Sequence, residues 1–210
     1  SNSAININAK TGGTTSFNGL VTATTGATNA ISLTSNSGGT INFANTSGTS
    51  NITTTSGNGF NFTGGGALNV SGNNYVVSST SGTAFNATAG TVTATGTGNT
   101  IASTTGRAVN INGATIGGSG VTFRSVSANG GTSSAILRRG TGAGNFTVTG
   151  DGTAAAGAQG GNASGGTIQN ITGADAISLN NVSGTVSLNS MAILNITAST
   201  DASDAKQTLS

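Results

Sequence analysis

The side chains able to carry out acid–base or nucleophilic chemistry are few: four Asp, six Lys or Arg, and no His or Cys in 210 residues. The acids are Asp151, Asp175, Asp201 and Asp204. Glycosidic cleavage is the reaction such a set could serve, because it needs two carboxyl groups held on either side of one bond. Their spacing argues against it. Asp151 falls in a Gly/Ala-rich stretch, Asp201 and Asp204 fall in the last ten residues, and only Asp175 adjoins a patterned segment. Without His and Cys, a Ser-His-Asp triad, a Cys nucleophile, a zinc site of the usual ligands and any disulfide are excluded. We expect no catalytic residue, no cofactor and no metal site, each Asp being a solvated or Arg-paired carboxylate.

Arg107, Arg124, Arg138 and Arg139 form the one basic concentration, yet the net charge is only +2 and aromatics make up 4% of the chain. Nucleic-acid binding rests on a dense basic stripe with stacking aromatics, so it is not expected. A calcium-binding nonapeptide needs GGxGxD, and Gly117-Gly118-Ser119 and Gly160-Gly161-Asn162 lack the Asp. Thr-x-Thr pairs of the kind that match an ice lattice begin at Thr22, Thr53, Thr93 and Thr147, at intervals that share no period. The ten Asn-x-Ser/Thr sequons are about what chance yields in a chain so rich in Asn, Ser and Thr.

What must position any of these groups is a unit three residues long: apolar, then Asn, Ser or Thr, then apolar. Copies are Ile5-Asn6-Ile7, Ile31-Ser32-Leu33, Ile41-Asn42-Phe43, Phe60-Asn61-Phe62, Leu68-Asn69-Val70, Phe85-Asn86-Ala87 and Val109-Asn110-Ile111. Further copies are Val121-Thr122-Phe123, Phe146-Thr147-Val148, Ile177-Ser178-Leu179, Val186-Ser187-Leu188 and Leu194-Asn195-Ile196. A period of two is strand patterning, so the outer side chains face inward and the middle one faces outward. Gly, Thr, Asn and Ser disfavour helix, and the absence of Pro leaves every ladder donor in place. Low net charge without Pro also separates the chain from disordered sequences, and no apolar run approaches the roughly 18 residues of a membrane span.

Spacing then selects the fold. Ile5, Ile31, Phe60, Phe85, Val109 and Ile136 follow one another at 26, 29, 25, 24 and 27 residues, as one face returning each turn does. Other units fall between them, so each turn holds three short strands with Gly-rich corners, which is the requirement of a parallel β-helix. The predicted fold is all-β: a right-handed parallel β-helix of about eight coils with three short strands each, roughly 40 Å long. We expect one β-helix domain over residues 1–196, a protruding loop at 149–165, and a polar C-terminal tail or cap at 197–210.

On this frame Arg124 follows the inward Phe123 and is expected to point outward. Arg107 and Asp175 share a position two residues before Val109 and Ile177, so Arg107, Arg138 and Asp175 are the expected lateral charge ladder. The alternative is separate surface charges, with Arg138-Arg139 marking a corner. Ile5 opens a coil after only four residues, leaving no room for a capping helix, and after Ile196 only Leu209 is large and apolar. Both ends of the core are therefore expected to be open, and Ile5, Ile7, Asp151 and Leu209 are the expected partner contacts.

The stretches Ala114 to Gly131, ATIGGSGVTFRSVSANGG, and Gly165 to Ile193, GGTIQNITGADAISLNNVSGTVSLNSMAI, resemble repeats of large secreted bacterial surface proteins. Autotransporter passengers and filamentous-haemagglutinin-like exoproteins are the families in question. The resemblance implies a right-handed β-helix, export to the cell surface, an adhesive or filamentous role and no catalytic motif, within a longer polypeptide. No basic-then-apolar leader opens the sequence, so any secretory signal is expected outside it. The expected function is that of a non-catalytic extracellular structural or adhesive protein. Its expected partners are further copies stacked end to end, the rest of a longer parent chain, or surface glycans, with no nucleic acid and no membrane span. An ice- or glycan-binding module, or a glycan-cleaving β-helix enzyme resembling pectinases and lyases, are the alternatives.

Overall fold

Three-residue apolar–polar–apolar units cannot bury a core singly, and in the computed structural model, which describes residues 2–153 and 162–197, they bury it by stacking. The first turn is β1 (Ile5–Asn8), β2 (Thr14–Phe17) and β3 (Ala23–Thr25), and the second is β4 (Ile31–Thr34), β5 (Thr40–Phe43) and β6 (Ser50–Thr54). The third turn holds β7 (Phe60–Phe62), β8 (Ala67–Val70) and β9 (Tyr75–Ser79), the fourth β10 (Phe85–Ala87), β11 (Thr91–Ala94) and β12 (Thr100–Ser103). In the fifth lie β13 (Val109–Asn112), β14 (Thr115–Phe123) and β15 (Ser125–Asn129), and in the sixth β16 (Ile136–Arg139), β17 (Phe146–Val148) and β18 (Gly166–Gln169). The seventh turn is β19 (Ile177–Asn180), β20 (Val186–Leu188) and β21 (Met191–Leu194).

Each strand pairs in parallel with its counterpart one turn on, giving three seven-stranded sheets that begin at β1, β2 and β3 and end at β19, β20 and β21. The chain is thus a parallel β-solenoid with three strands per turn. It has seven turns, where the sequence spacing predicted about eight. Two insertions account for the difference. In β14, Ile116 pairs with Val92 and Val121 with Ala94, so Gly117–Gly120 is an excursion within one strand. Between the fifth and sixth turns of the third sheet, the chain advances 40 residues from Asn129 to its register partner Gln169, because the predicted loop at 149–165 lies in that turn. Residues 154–161 of that loop fall outside the described residues.

The core follows from the alternation. Ile31, Leu33, Phe43, Phe62, Leu68, Val92, Val109 and Val121 are fully buried. An aromatic spine runs through it: Phe17 stacks on Phe43 at 4.9 Å, Phe43 meets Phe60 edge-on at 5.0 Å, and Phe60, Phe85, Phe123 and Phe146 continue at 5.3–6.1 Å. The third sheet departs from the apolar pattern, because Ser50, Thr54, Ser79 and Ser103 face inward and are buried. Three of these hydroxyls meet corner carbonyls that would otherwise be orphaned: Thr54 Oγ1 donates to Gly57 O at 2.6 Å, Ser79 Oγ to Gly57 O at 3.1 Å, and Ser103 Oγ to Gly82 O at 3.0 Å, while Ser50 Oγ accepts from Val21 N at 3.0 Å.

Two glycine columns make the corners. Gly39, Gly66 and Gly90 turn the chain from the first sheet to the second with φ of +81°, +81° and +70°. Gly57, Gly82 and Gly106 stack at the return corner so closely that a β-carbon on one would run into a backbone carbonyl of the turn below.

The final triplet is a correction to the sequence reading. Leu194-Asn195-Ile196 is not a strand unit: β21 places Met191 and Ile193 in register with Gly166 and Ile168, Leu194 points outward, and Asn195 has a φ of +52°. Position 197 is not yet tail either, since Thr197 bridges Thr172 in parallel. Residues 198–210, and Leu209 with them, lie outside the described residues.

Candidate functional site

Each sheet presents one outward polar column, and side chains in these columns bond from turn to turn. On the first sheet Asn110 Nδ2 donates to Asn86 Oδ1 at 2.6 Å and Asn86 Nδ2 to Asn61 Oδ1 at 2.8 Å. Asn58 Nδ2 reaches the same Asn61 oxygen at 2.9 Å. On the second sheet Thr93 Oγ1 donates to Asn69 Oδ1, Asn69 Nδ2 to Asn42 Oδ1, and Asn42 Nδ2 to Ser16 Oγ, at 2.8, 3.0 and 3.2 Å. Stacking carboxamides one turn apart brings each donor onto the acceptor below it. It also shields them: Asn61 and Asn86, expected outside, are buried.

Arg107 closes the first ladder. Its Nη1 donates to Asn110 Oδ1 at 3.3 Å and its Nε to Ser134 O at 2.9 Å, and partial burial pulls its pKa below the ordinary arginine value. Asp175 is exposed, one turn beyond Ser134. Among the described residues no ion pair joins it to Arg107, so the expected charge ladder of Arg107, Arg138 and Asp175 does not assemble.

Arg138 departs furthest from its expected place. It lies inside the solenoid at 1% exposure, in register with Ile111 below and Leu179 above, and is not at a corner. Nε donates to Thr141 Oγ1 at 2.7 Å, Nη2 to Gly144 O, and Nη1 to Gly184 O and Thr185 O at 3.4 Å each. A guanidinium can be buried here because several neutral acceptors converge on its donors, and burial lowers its pKa. The pattern inverts around it, leaving Leu137 as the outward residue. Arg124 is exposed, as expected.

Asp151 sits at the neck of the 149–165 loop. Its carboxylate accepts from Thr153 N at 2.9 Å, Thr153 Oγ1 at 2.7 Å, Asn162 Nδ2 at 3.0 Å and Ser164 Oγ at 3.0 Å. Those donors, Thr153 foremost, hold its pKa well below the usual carboxylate range. The arrangement clasps the two ends of the loop, with three donors on Oδ1 and one on Oδ2. Among the described residues no three His, Cys, Asp or Glu side chains gather.

Two larger surfaces remain. A shallow open trough of about 300 Å³ runs over β9, β12, β15 and β18, lined by Ser78, Ala102, Ser127, Asn129, Thr167 and Gln169. Nothing in the residue pattern announces it, because the strand units of the third sheet escape the apolar triplet. The Thr-x-Thr pairs do not share a face, since Thr24 and Thr53 are neighbours on the third sheet while Thr93 and Thr147 lie on the second. At the ends, Ile5 and Ile7 are half-buried against Ile31 and Leu33. At the far end the inward positions Leu179 and Ile193 are 48% and 37% exposed. No helix of the described residues is long and apolar enough to cross a membrane.

Compared with family models, curated proteins and solved structures, the chain gives no match in any of the three.

Proposed function

We propose that this chain is a non-catalytic structural or adhesive module of an extracellular bacterial surface protein, of the kind its repeats resemble in autotransporter passengers and filamentous-haemagglutinin-like exoproteins. It works as a stiff rod whose turns continue into further β-turns, supplied by the rest of a longer polypeptide or by a second copy stacked end to end. One observation carries this reading. Each of the three parallel sheets carries a strand from all seven turns and finishes on an edge strand, and the core-facing Leu179 and Ile193 of two of those edges are left half-exposed. Unpaired strand edges backed by apolar side chains take another strand in register. Electron microscopy of the purified chain across a concentration series tests it. Rods that lengthen by whole solenoids support stacking, and short rods that lengthen only in a longer polypeptide support the parent-chain form. A dispersed monomer with both edges protected from hydrogen exchange would overturn both.

A glycan-binding module is the second reading, favoured by the hydroxyl- and carboxamide-lined trough on the third sheet. A glycan array with a turnover readout separates binding from cleavage. Loss of a hit on Gln169→Ala places the ligand in the trough, and release of shortened glycan would establish an enzyme instead.

A further inference from the structure

Four Asn-Gly pairs occur, at Asn18-Gly19, Asn58-Gly59, Asn112-Gly113 and Asn129-Gly130. This dipeptide has its own chemistry, because a glycine nitrogen carries no neighbouring β-carbon to obstruct its approach to the preceding carboxamide. The solenoid treats the four unequally. Gly59 N donates to Thr83 O at 3.1 Å, Gly113 N to Arg139 O at 3.1 Å and Gly130 N to Gln169 O at 2.8 Å. Asn58 is held at both side-chain atoms, by Thr83 N at 2.9 Å and Asn61 Oδ1 at 2.9 Å, and Asn129 Oδ1 accepts from Asn170 Nδ2 at 2.7 Å. Asn18 and Gly19 form the corner after β2 in the first turn. Both are exposed, neither the Asn18 carboxamide nor the Gly19 nitrogen takes part in a hydrogen bond among the described residues, and the space around Gly19 is open.

We propose that Asn18 is a site of self-modification, converting to aspartate and isoaspartate while the inter-turn ladder protects the other three pairs. The Gly19 nitrogen, having lost its proton to hydroxide, attacks Asn18 Cγ. A C–N bond forms, the Cγ–Nδ2 bond breaks, and the amide nitrogen leaves as ammonia, protonated by water. Water then opens the five-membered succinimide at either carbonyl. Opening at one restores the ordinary main chain with an aspartate side chain, and opening at the other routes the main chain through the β-carbon. Either way a carboxylate replaces a neutral amide on the rim of the first turn, between the stacked Phe17 and the exposed Leu20. The reaction consumes one water, releases one ammonia and needs no other reactant.

The test is to age the folded chain in mildly alkaline buffer and map each site by mass spectrometry, beside a sample held in denaturant. Conversion should be confined to Asn18 in the folded chain and spread over all four pairs in denaturant. Gly19→Ala, which adds a β-carbon into open space at an ordinary backbone angle, should slow conversion at Asn18 several-fold without changing the melting temperature. Equal rates at the four pairs with the fold intact, conversion of any protected pair ahead of Asn18, or a folded Asn18 that outlasts its denatured counterpart unchanged would each overturn the proposal.

Discussion

Asn110 passes its side-chain amide to Asn86 at 2.6 Å across one turn, and Asn86 passes its own to Asn61. In both carboxamide ladders each bond between turns has its donor in the later turn and its acceptor in the earlier one. Asn86 both gives and receives, in a buried position. Asn86→Ala should therefore cost about 1–3 kcal/mol, the usual penalty for leaving buried polar partners unmet. Asn6→Ala, in the same column at the exposed start, should stay within about 0.5 kcal/mol of the parent. Urea unfolding measures both, and equal losses would show that the ladder adds nothing.

Arg138 sits in core with neutral acceptors around it. Arg138→Ala should cost about 3–5 kcal/mol, combining a cavity between Ile111 and Leu179 with unmet carbonyls. Arg138→Met fills most of that volume without burying a charge, and should recover at least half of the loss. A Met variant as unstable as the Ala variant would show that the carbonyl bonds, not the volume, hold the sixth and seventh turns together.

Tyr75 is the one tyrosine, buried against Phe43 and Phe60, and that burial pushes its phenol above the ordinary value of 10.0, against a smaller opposing pull from Ser50. An unfolded chain ionises this phenol at the ordinary value. Tyr75 thus contributes its full stability below pH 10.0 and loses it as the pH rises through the higher folded value. Ultraviolet titration should show the phenolate forming together with unfolding, and Tyr75→Phe should blunt the alkaline loss. Reversible ionisation below pH 10.0 with the fold intact would contradict the assignment.

Gly82 and Gly118 make a matched pair. A β-carbon at Gly82 meets the carbonyls of Gly57 and Ser56, whereas one at Gly118 meets nothing. Gly82→Ala should lower stability by about 1–3 kcal/mol through overpacking, and Gly118→Ala should be neutral or slightly stabilising. Thermal melts of the two variants check this directly.

Most of the architecture was legible because Ile5, Ile31, Phe60, Phe85, Val109 and Ile136 really do stack in register, with the intervals read from the sequence. The third sheet was hidden. Its inward Ser79 and Ser103 satisfy corner carbonyls, so the column alternates in burial without alternating in polarity. Arg138 was misplaced for a related reason: a charged residue at an inward position reads as a surface residue until the acceptors at Thr141, Gly144 and Gly184, brought in from two corners, are seen together. The Asn ladder could have been anticipated, since Asn61, Asn86 and Asn110 recur at the stacking interval as the middle residues of their triplets.

The uniform direction of the ladders leaves the rod without any internal two-fold relation. Its β1–β3 edge and its β19–β21 edge are chemically unlike surfaces. A contact that extends the ladder must set one against the other, a heterologous joint that cannot close on itself as a two-fold dimer does. An assembly built that way has a polarity along its length, offers different chemistry to an incoming copy at each tip, and contains within the joint no rule for when to stop.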